Sequence, residues 1–425
     1  MYKKLNSYKL FLAIFFLGLT SGLPLSLILS TLKALLVEKG FDIKTVGFFA
    51  LVTIPYSLKI FFAPIIDSYK IPLLTKLIGH RKSWIVLTQI FLALFISLLG
   101  VATIFTSLFY IAIFAVMIAF FSASQDIVID GYRIELIKKE DQGLASGFYI
   151  YGYRLALLIS GAGALALAEL VSWQAVYFIM GLIMLSSIVF TLKIKETRQN
   201  FNPKYICFKS WFRKFVIVPF LDILTRRNRP YIILPLIFFF KLADAFAGNL
   251  FVPFLLDIGY TKIDIATALK TFGLFAVLFG VLFGGILVKK INILKTLWIA
   301  AIAQTISNLA FCYLAINDIS LTSLYIVVFV ENFSGGIGDA ALVAYLSSLC
   351  NKKYSATQYA LLASITTIAR SLFSSTAGIF AQNLGWFKFF IFSTFLGLPV
   401  ILLLFWLTIS NKPIKTNKSK LINQN

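Results

Sequence analysis

Ser124-Gln125-Asp126-Ile127-Val128-Ile129-Asp130-Gly131-Tyr132-Arg133 closes an apolar run of about twenty residues that begins near Ser107, long enough to cross a bilayer as a helix. Asp126 and Asp130 are four apart, so a helix sets both on one face. A carboxylate at mid-bilayer costs about 2.5–3.5 kcal/mol on insertion scales, so one that persists there is functional or paired. Counting back from Arg133 at 1.5 Å per residue, Asp126 lies roughly 10 Å inside the membrane edge. The functional reading makes Asp126 a proton-coupling group and gives Asp130 and Arg133 to a gate. The competing reading is a plain ion pair with a neighbouring cation.

The rest of the chain repeats this pattern. Of 425 residues, 60% are apolar and 13% charged, more apolar surface than a soluble core requires. The expected class is an all-α membrane protein with twelve transmembrane helices. The apolar runs place spans at about 10–31, 45–66, 84–104, 107–131, 144–168, 174–192, 231–256, 264–288, 296–316, 321–349, 358–382 and 387–410. The first follows Lys3, Lys4 and Lys9 as a signal peptide would, but no small-residue cleavage site follows, so an uncleaved helix is expected. Three cysteines far apart (Cys207, Cys312, Cys350) and one histidine (His80) suggest no disulfide framework, no metal site and no Ser-His-Asp chemistry. The outer loops are short and carry no cluster of acids or histidines, so an enzyme is not expected, nor a cofactor beyond a proton gradient.

A net charge of +22 in a soluble protein would suggest nucleic acid. Here 29 of the 39 Lys and Arg fall at the two termini and in alternate loops, five in the other loops and five within spans. Cytoplasmic loops carry the Lys/Arg excess, so both termini are expected in the cytoplasm, the partners to include anionic inner-leaflet lipid, and nucleic acid to be absent. Residues 193–230 carry ten Lys and Arg. Within them, Trp211, Phe212, Phe215 and Val216 alternate with Lys209, Arg213 and Lys214, as in a helix lying on the inner leaflet. A plain linker with incidental aromatics is the competing reading. The expected division is therefore a first six-helix half at 1–192, a basic linker at 193–230, a second half at 231–410 and a cytoplasmic tail at 411–425.

The halves echo each other. Glu38-Lys39-Gly40-Phe41 matches Asp257-Ile258-Gly259-Tyr260, Asp126 with Tyr132 matches Asp339 with Tyr345, and Gln142 with Arg154 matches Gln358 with Arg370. The offsets are 219, 213 and 216, in order along the chain. Such duplicated halves of one orientation are the arrangement of major facilitator transporters, with a site between the halves near mid-membrane.

Five acids (Asp126, Asp130, Asp244, Glu331, Asp339) and five cations (Lys59, Arg154, Lys241, Lys270, Arg370) lie within the spans. Their near balance permits pairing, and unpaired buried charge is what a bilayer penalises most. Substrate contact is expected from Arg154, Arg370, Tyr56, Lys59, Tyr149, Tyr153 and Asp339. Tyrosines beside an arginine suit a sugar ring with a carboxylate nearby, because Arg grips a carboxylate with two parallel donors; packing between helices is the competing role for each tyrosine. Asp126, with Lys59 as neighbour, and Asp244 are the expected proton-coupling acids, although Asp244 and Lys241 are close enough to neutralise each other. Glu331 and Lys270 are left without a role. Asp67 at the end of span 2, with Arg81 and Lys82 opening span 3, suits a gate latch.

The stretch Ser124–Arg133 with Ala123, the motifs Ser21-Gly22-Leu23-Pro24, Pro55-Tyr56-Ser57-Leu58-Lys59, Ala63-Pro64 and Gly152-Tyr153-Arg154-Leu155, and Asp67 together resemble the AmpG family of muropeptide permeases. The likeness thins in the second half to Pro219-Phe220-Leu221-Asp222 and Asp244. It implies the major facilitator fold and a monomeric, proton-driven importer in a bacterial inner membrane. The implied cargo is an anionic sugar-peptide, N-acetylglucosamine linked to anhydro-N-acetylmuramic acid and its peptides, for cell-wall recycling. Two departures stand out: some family members carry fourteen spans, and Lys33 stands where members often have glutamine. A carrier of acetyl-coenzyme A or a nucleotide derivative shares much of the pattern, and a non-transporting sensor of wall fragments is a third reading.

Overall fold

A computed structural model describes residues 2–41, 43–104, 107–138, 141–197, 207–226, 229–317, 319–374 and 376–410. Among these, every regular element is helical. Ten helices are long and apolar enough to cross a membrane. Numbered by expected place, they are spans 1 (Lys9–Glu38), 3 (His80–Ala102), 4 (Leu108–Leu136), 5 (Gln142–Ala168), 6 (Trp173–Lys193) and 7 (Pro230–Asp257). Spans 8 (Gly273–Ile291), 9 (Ile293–Ile316), 10 (Leu321–Leu349) and 12 (Trp386–Ile409) complete the set. Span 2 is a pair of helices, Leu51–Ser57 and Lys59–Ser68, bent by 50°. The place of span 11 is filled by Ser355–Ser374 and Ala377–Leu384. The tail 411–425, residues 198–206, 227 and 228 of the expected linker, and the Lys270 side chain lie outside the described residues.

The breaks at Leu58 and Leu250 each lie three residues from a proline. A proline lacks its N–H and its ring crowds the carbonyl four residues back. Pro55 stands just after the tightly wound stretch Phe49–Thr53, and the Leu58 N–H shares the carbonyls of Ile54 and Pro55 where span 2 breaks. Span 7 is interrupted at Lys241, and again at Leu250, three residues before Pro253. Both Lys59 and Lys241 thus stand at helix breaks. Span 1 outruns its expected end at 31 and continues to Glu38, because nothing stops it before Gly40.

The duplication is visible in structure. Gly40 and Gly259 both have positive φ, 81° and 105°, and each ends its helix with the same pair of bonds. The residue after the glycine donates five back, Phe41 N to Leu36 O and Tyr260 N to Leu255 O, while the glycine N–H reaches Val37 and Leu256. This is the Schellman closure, which favours glycine because a Cβ is strained there. Each corner is also tied by a tryptophan: Trp173 donates its indole N–H to Glu38, and Trp386 to Asp257.

Packing between spans 1 and 5 sets the site's geometry. A methyl at Gly152 would stand 2.0 Å from the Phe15 carbonyl oxygen, and one at Gly18 2.0 Å from that of Tyr149. Small residues let backbones touch where lipid supplies no hydrophobic drive. The close approach brings Tyr149 alongside Ser21 and Tyr153 alongside Gly22. Across the halves, span 5 packs on span 8, and Ser355–Ser374 packs on Lys59–Ser68 and on span 4. Ala377–Leu384, at the other end, packs mainly on Leu242–Asn249 and Trp386–Phe395 of its own half.

Candidate functional site

Two charge clusters lie within the spans. In the first, the Lys59 ammonium lies 2.5 Å from the Asp126 carboxylate. Ser21 Oγ donates to the other Asp126 oxygen and is 2.8 Å from the Tyr149 hydroxyl. The ammonium also sits 5.4 Å from the centre of the Tyr56 ring, within cation–π range. Residues from spans 1, 2, 4 and 5 thus converge on one carboxylate.

In the second cluster, Lys241 bridges Asp339 at 3.0 Å and Asp244 at 3.3 Å, and donates to the Gly335 carbonyl at 3.1 Å. Arg154, from the first half, reaches Asp339 at 3.6 Å, so this ion pair spans the two halves. Lys59 keeps 22% of its side chain exposed, Arg154 36% and Asp339 30%. Arg370 is exposed and Tyr153 half-buried. Glu331 is half-buried, and the charges acting on it are Asp244, Lys241, Asp339 and Arg154.

A third cluster seals the end that carries the termini. Arg81 is fully buried and binds Asp67 and Glu135, each at 2.6 Å. It also donates to Ser355 Oγ at 3.1 Å. Asp67 accepts from the Thr357 backbone N–H and hydroxyl, both at 2.7 Å. Its negative charge therefore stands at the N-terminus of Ser355–Ser374, where the helix dipole favours an anion. Ser355 and Thr197 add hydroxyl bonds to Glu135, and Lys352 donates to the Glu135 carbonyl at 3.1 Å. Beside it, Arg133 is buried between the rings of Tyr149 (5.6 Å) and Tyr359 (5.4 Å), with Asp130 at 3.3 Å and Ser146 Oγ at 3.0 Å. Glu196 caps span 3 by accepting from the backbone N–H of Arg81 and Lys82, at 3.1 and 3.0 Å. Burial holds its carboxyl above the usual glutamate range, against those two bonds.

The family model of the Major Facilitator Superfamily matches residues 10–374. The chain belongs to the major facilitator superfamily, in its AmpG-type branch. It is 39% identical over 410 residues to a Rickettsia conorii protein that bears the name AmpG 4, covering 95% of this chain and 98% of that protein. It is 38% identical over 391 residues to the anhydromuropeptide permease of Escherichia coli K12, covering 91% of this chain and 77% of the relative. Among solved structures, the human organic anion transporter MFSD10 superposes with a TM-score of 0.73 at 12% identity, covering 93% of this chain and 99% of that one. The proton:xylose symporter XylE gives 0.65 at 12% identity, covering 95% of both chains. These two likenesses show the facilitator fold; the family model and the permease relative mark a transporter rather than an enzyme.

Set in that fold, the expected residues divide. Lys59, Tyr56, Tyr149, Asp126, Asp244, Asp339 and Arg154 are drawn into the two central clusters, while Arg370 stands exposed. Asp67, Arg81, Asp130 and Arg133 lie at the sealed end. Lys82 does not join them: its ammonium donates to the Leu192 carbonyl at 2.8 Å, while its backbone N–H donates to Glu196. Sequence reading passed over Ser21, Glu135, Glu196, Ser355 and Thr357. Ser21 lies in a quoted motif and Glu135 stands two residues past Arg133, so both were within reach. Thr357 gives no local signal, since its partner is 290 residues away.

Proposed function

We propose that this facilitator imports anhydromuropeptides, the disaccharide of N-acetylglucosamine and anhydro-N-acetylmuramic acid with its peptides, driven by protons. It lies in a bacterial inner membrane as a monomer with both termini in the cytoplasm. The carrying observation is the Arg154–Asp339 ion pair across the halves, together with the Lys59–Asp126 pair of the first half, in a chain 38% identical to a protein named for that activity. Loop charge supports the orientation, and with that orientation the sealed end is the cytoplasmic gate and the passage opens outward.

In this reading Arg154 and Arg370 take carboxylates of the peptide, and Tyr56, Tyr149 and Tyr153 face the sugar. Substrate carboxylate competes with Asp339 for Arg154, loosening the ion pair that joins the halves. A proton on Asp126 neutralises the partner of Lys59 and frees span 2 from span 4. Spans 2 and 11 then part at the latch, and the cycle resets when the proton leaves to the cytoplasm. Asp244 serves as the second proton acceptor beside Lys241.

The test is uptake of labelled anhydro-disaccharide, with and without peptide, into right-side-out vesicles. Accumulation that requires an inward proton gradient is expected. Binding without accumulation, or preference for acetyl-coenzyme A, overturns the reading.

A further inference from the structure

The sealed end has a second fastening, supplied by the segment between the halves. Phe208–Phe212, the wide turn Arg213–Ile217 and Val218–Arg226 form one continuous helix. Near its start, Trp211 donates its indole N–H to Ser68 Oγ at 2.9 Å, at the inner end of span 2. Phe215 is buried, in the turn that packs on Lys59–Ser68. Near its end, the Pro219 carbonyl and the Asp222 carboxylate accept from Gln358 Nε2 at 3.0 and 2.7 Å. Gln358 is fully buried in the first turn of Ser355–Ser374, and its oxygen accepts from the Asn351 N–H at 2.6 Å. One helix therefore grips both halves, through the same two elements that Asp67 and Thr357 join.

Its other face is built differently. Phe212, Ile217, Phe220 and Leu221 are each 41–47% exposed. Lys209 and Arg213 are also exposed, and Lys214 lies over the Phe215 ring at 5.8 Å. An apolar face with cations at its border, on a helix level with the inner ends of two spans, matches a surface that lies in the headgroup layer. Each Lys or Arg at an anionic surface strengthens binding by about fivefold.

We propose that this helix is a clip read by the membrane: its outer face docks on anionic phospholipid headgroups, and that docking favours the closed gate. Opening separates Ser68 from Gln358, so the helix must leave one anchor and change its angle to the leaflet. The leaflet then binds the two gate states unequally, which is the condition for any ligand to shift an equilibrium. The inference rests on the transporter reading only in requiring that the gate open.

The experiment uses full-length protein carrying Cys207→Ser, with spin labels at Lys138→Cys and Lys353→Cys, exposed positions on opposite halves of the gate rim. Distance distributions are recorded in vesicles of phosphatidylcholine, and of phosphatidylcholine with phosphatidylglycerol. Phosphatidylglycerol should raise the ratio of short to long distances on the order of tenfold. Lys209→Gln with Arg213→Gln and Lys214→Gln should abolish that response while keeping both populations. Trp211→Phe, which keeps the ring and loses the N–H, should weaken it. A ratio indifferent to phosphatidylglycerol, a triple variant that responds like its parent, or a single distance in both lipids overturns the proposal. No substrate is present, so failure of the muropeptide reading leaves this result standing.

Discussion

At the scale of the residue, Asp126 is the most instructive position. Proton coupling requires that its proton affinity differ between states of the cycle, through burial at one stage and a cation at another. The neighbouring ammonium at 2.5 Å supplies the cation, yet a permanent bridge fastening span 2 to span 4 would look the same. Breaking a fully buried pair costs about 3–5 kcal/mol because the orphaned charge stays buried. Lys59 keeps 22% of its side chain exposed, so water relieves it and Asp126→Asn is expected to reach the membrane. That variant should exchange substrate at equilibrium and fail to concentrate it. Full accumulation by Asp126→Asn combined with Lys59→Met would remove Asp126 from the coupling role. Arg154 poses a different question, because it already shares Asp339 with Lys241. Arg154→Lys keeps the charge and loses the planar fork, so uptake should weaken roughly tenfold, about 1.4 kcal/mol. Unchanged uptake would reduce the arginine to a counter-ion.

At the scale of the element, the latch works because one carboxylate serves two helices. Asp67 holds Arg81 on its own half and the first turn of Ser355–Ser374 on the other. Asp67→Asn retains an acceptor for Thr357 but removes the charge, losing both the buried ion pair and the helix-dipole contact. Ala356 is 1% exposed behind this latch. An Ala356→Cys reporter should therefore react with maleimide about tenfold faster when Asp67→Asn is added, a shift near 1.4 kcal/mol. Equal rates would show that the gate closes without Asp67. Glu196 tests the cap on span 3. Its raised carboxyl pKa means that the folded state holds the proton more tightly than the unfolded chain. That contribution is present below the ordinary glutamate value and is lost as pH rises through the raised one. Glu196→Gln should flatten the thermal-stability profile across that window, and an unaltered slope would place the titration elsewhere.

At the scale of the whole molecule, the halves are joined differently at the two ends. The end that bears the termini is closed by the latch, by Arg133 between Tyr149 and Tyr359, and by Lys289 with Asp141 at 3.0 Å. The middle is joined by the looser Arg154–Asp339 pair at 3.6 Å, part-exposed on both sides. Energy of closure therefore concentrates at one end, and the middle can rearrange without dissolving the bundle. The orientation is testable by membrane-impermeant maleimide on intact cells carrying Cys207→Ser. Lys39→Cys should label directly, and Lys138→Cys only after the membrane is opened; the reverse pattern would invert the topology.

What the sequence determined by itself is whatever a bilayer enforces locally. Each spanning segment must satisfy its own backbone hydrogen bonds, so the length of an apolar run announces a helix without reference to any partner. Gly40 and Gly259 likewise revealed the duplicated corners, because a left-handed helix end selects glycine on the spot. Depth counting placed Asp126 inside the membrane edge for the same reason, since rise per residue is constant. The tertiary structure alone decided who meets whom across the halves. That depends on the rotation of each helix and on the direction each bend takes, which no local pattern encodes. Hence Asp339 takes Arg154 from the opposite half, Lys82 leaves the latch, and Glu135 and Thr357 enter it. Charges in an apolar medium take the partner that geometry brings nearest, and that partner need not be close in sequence.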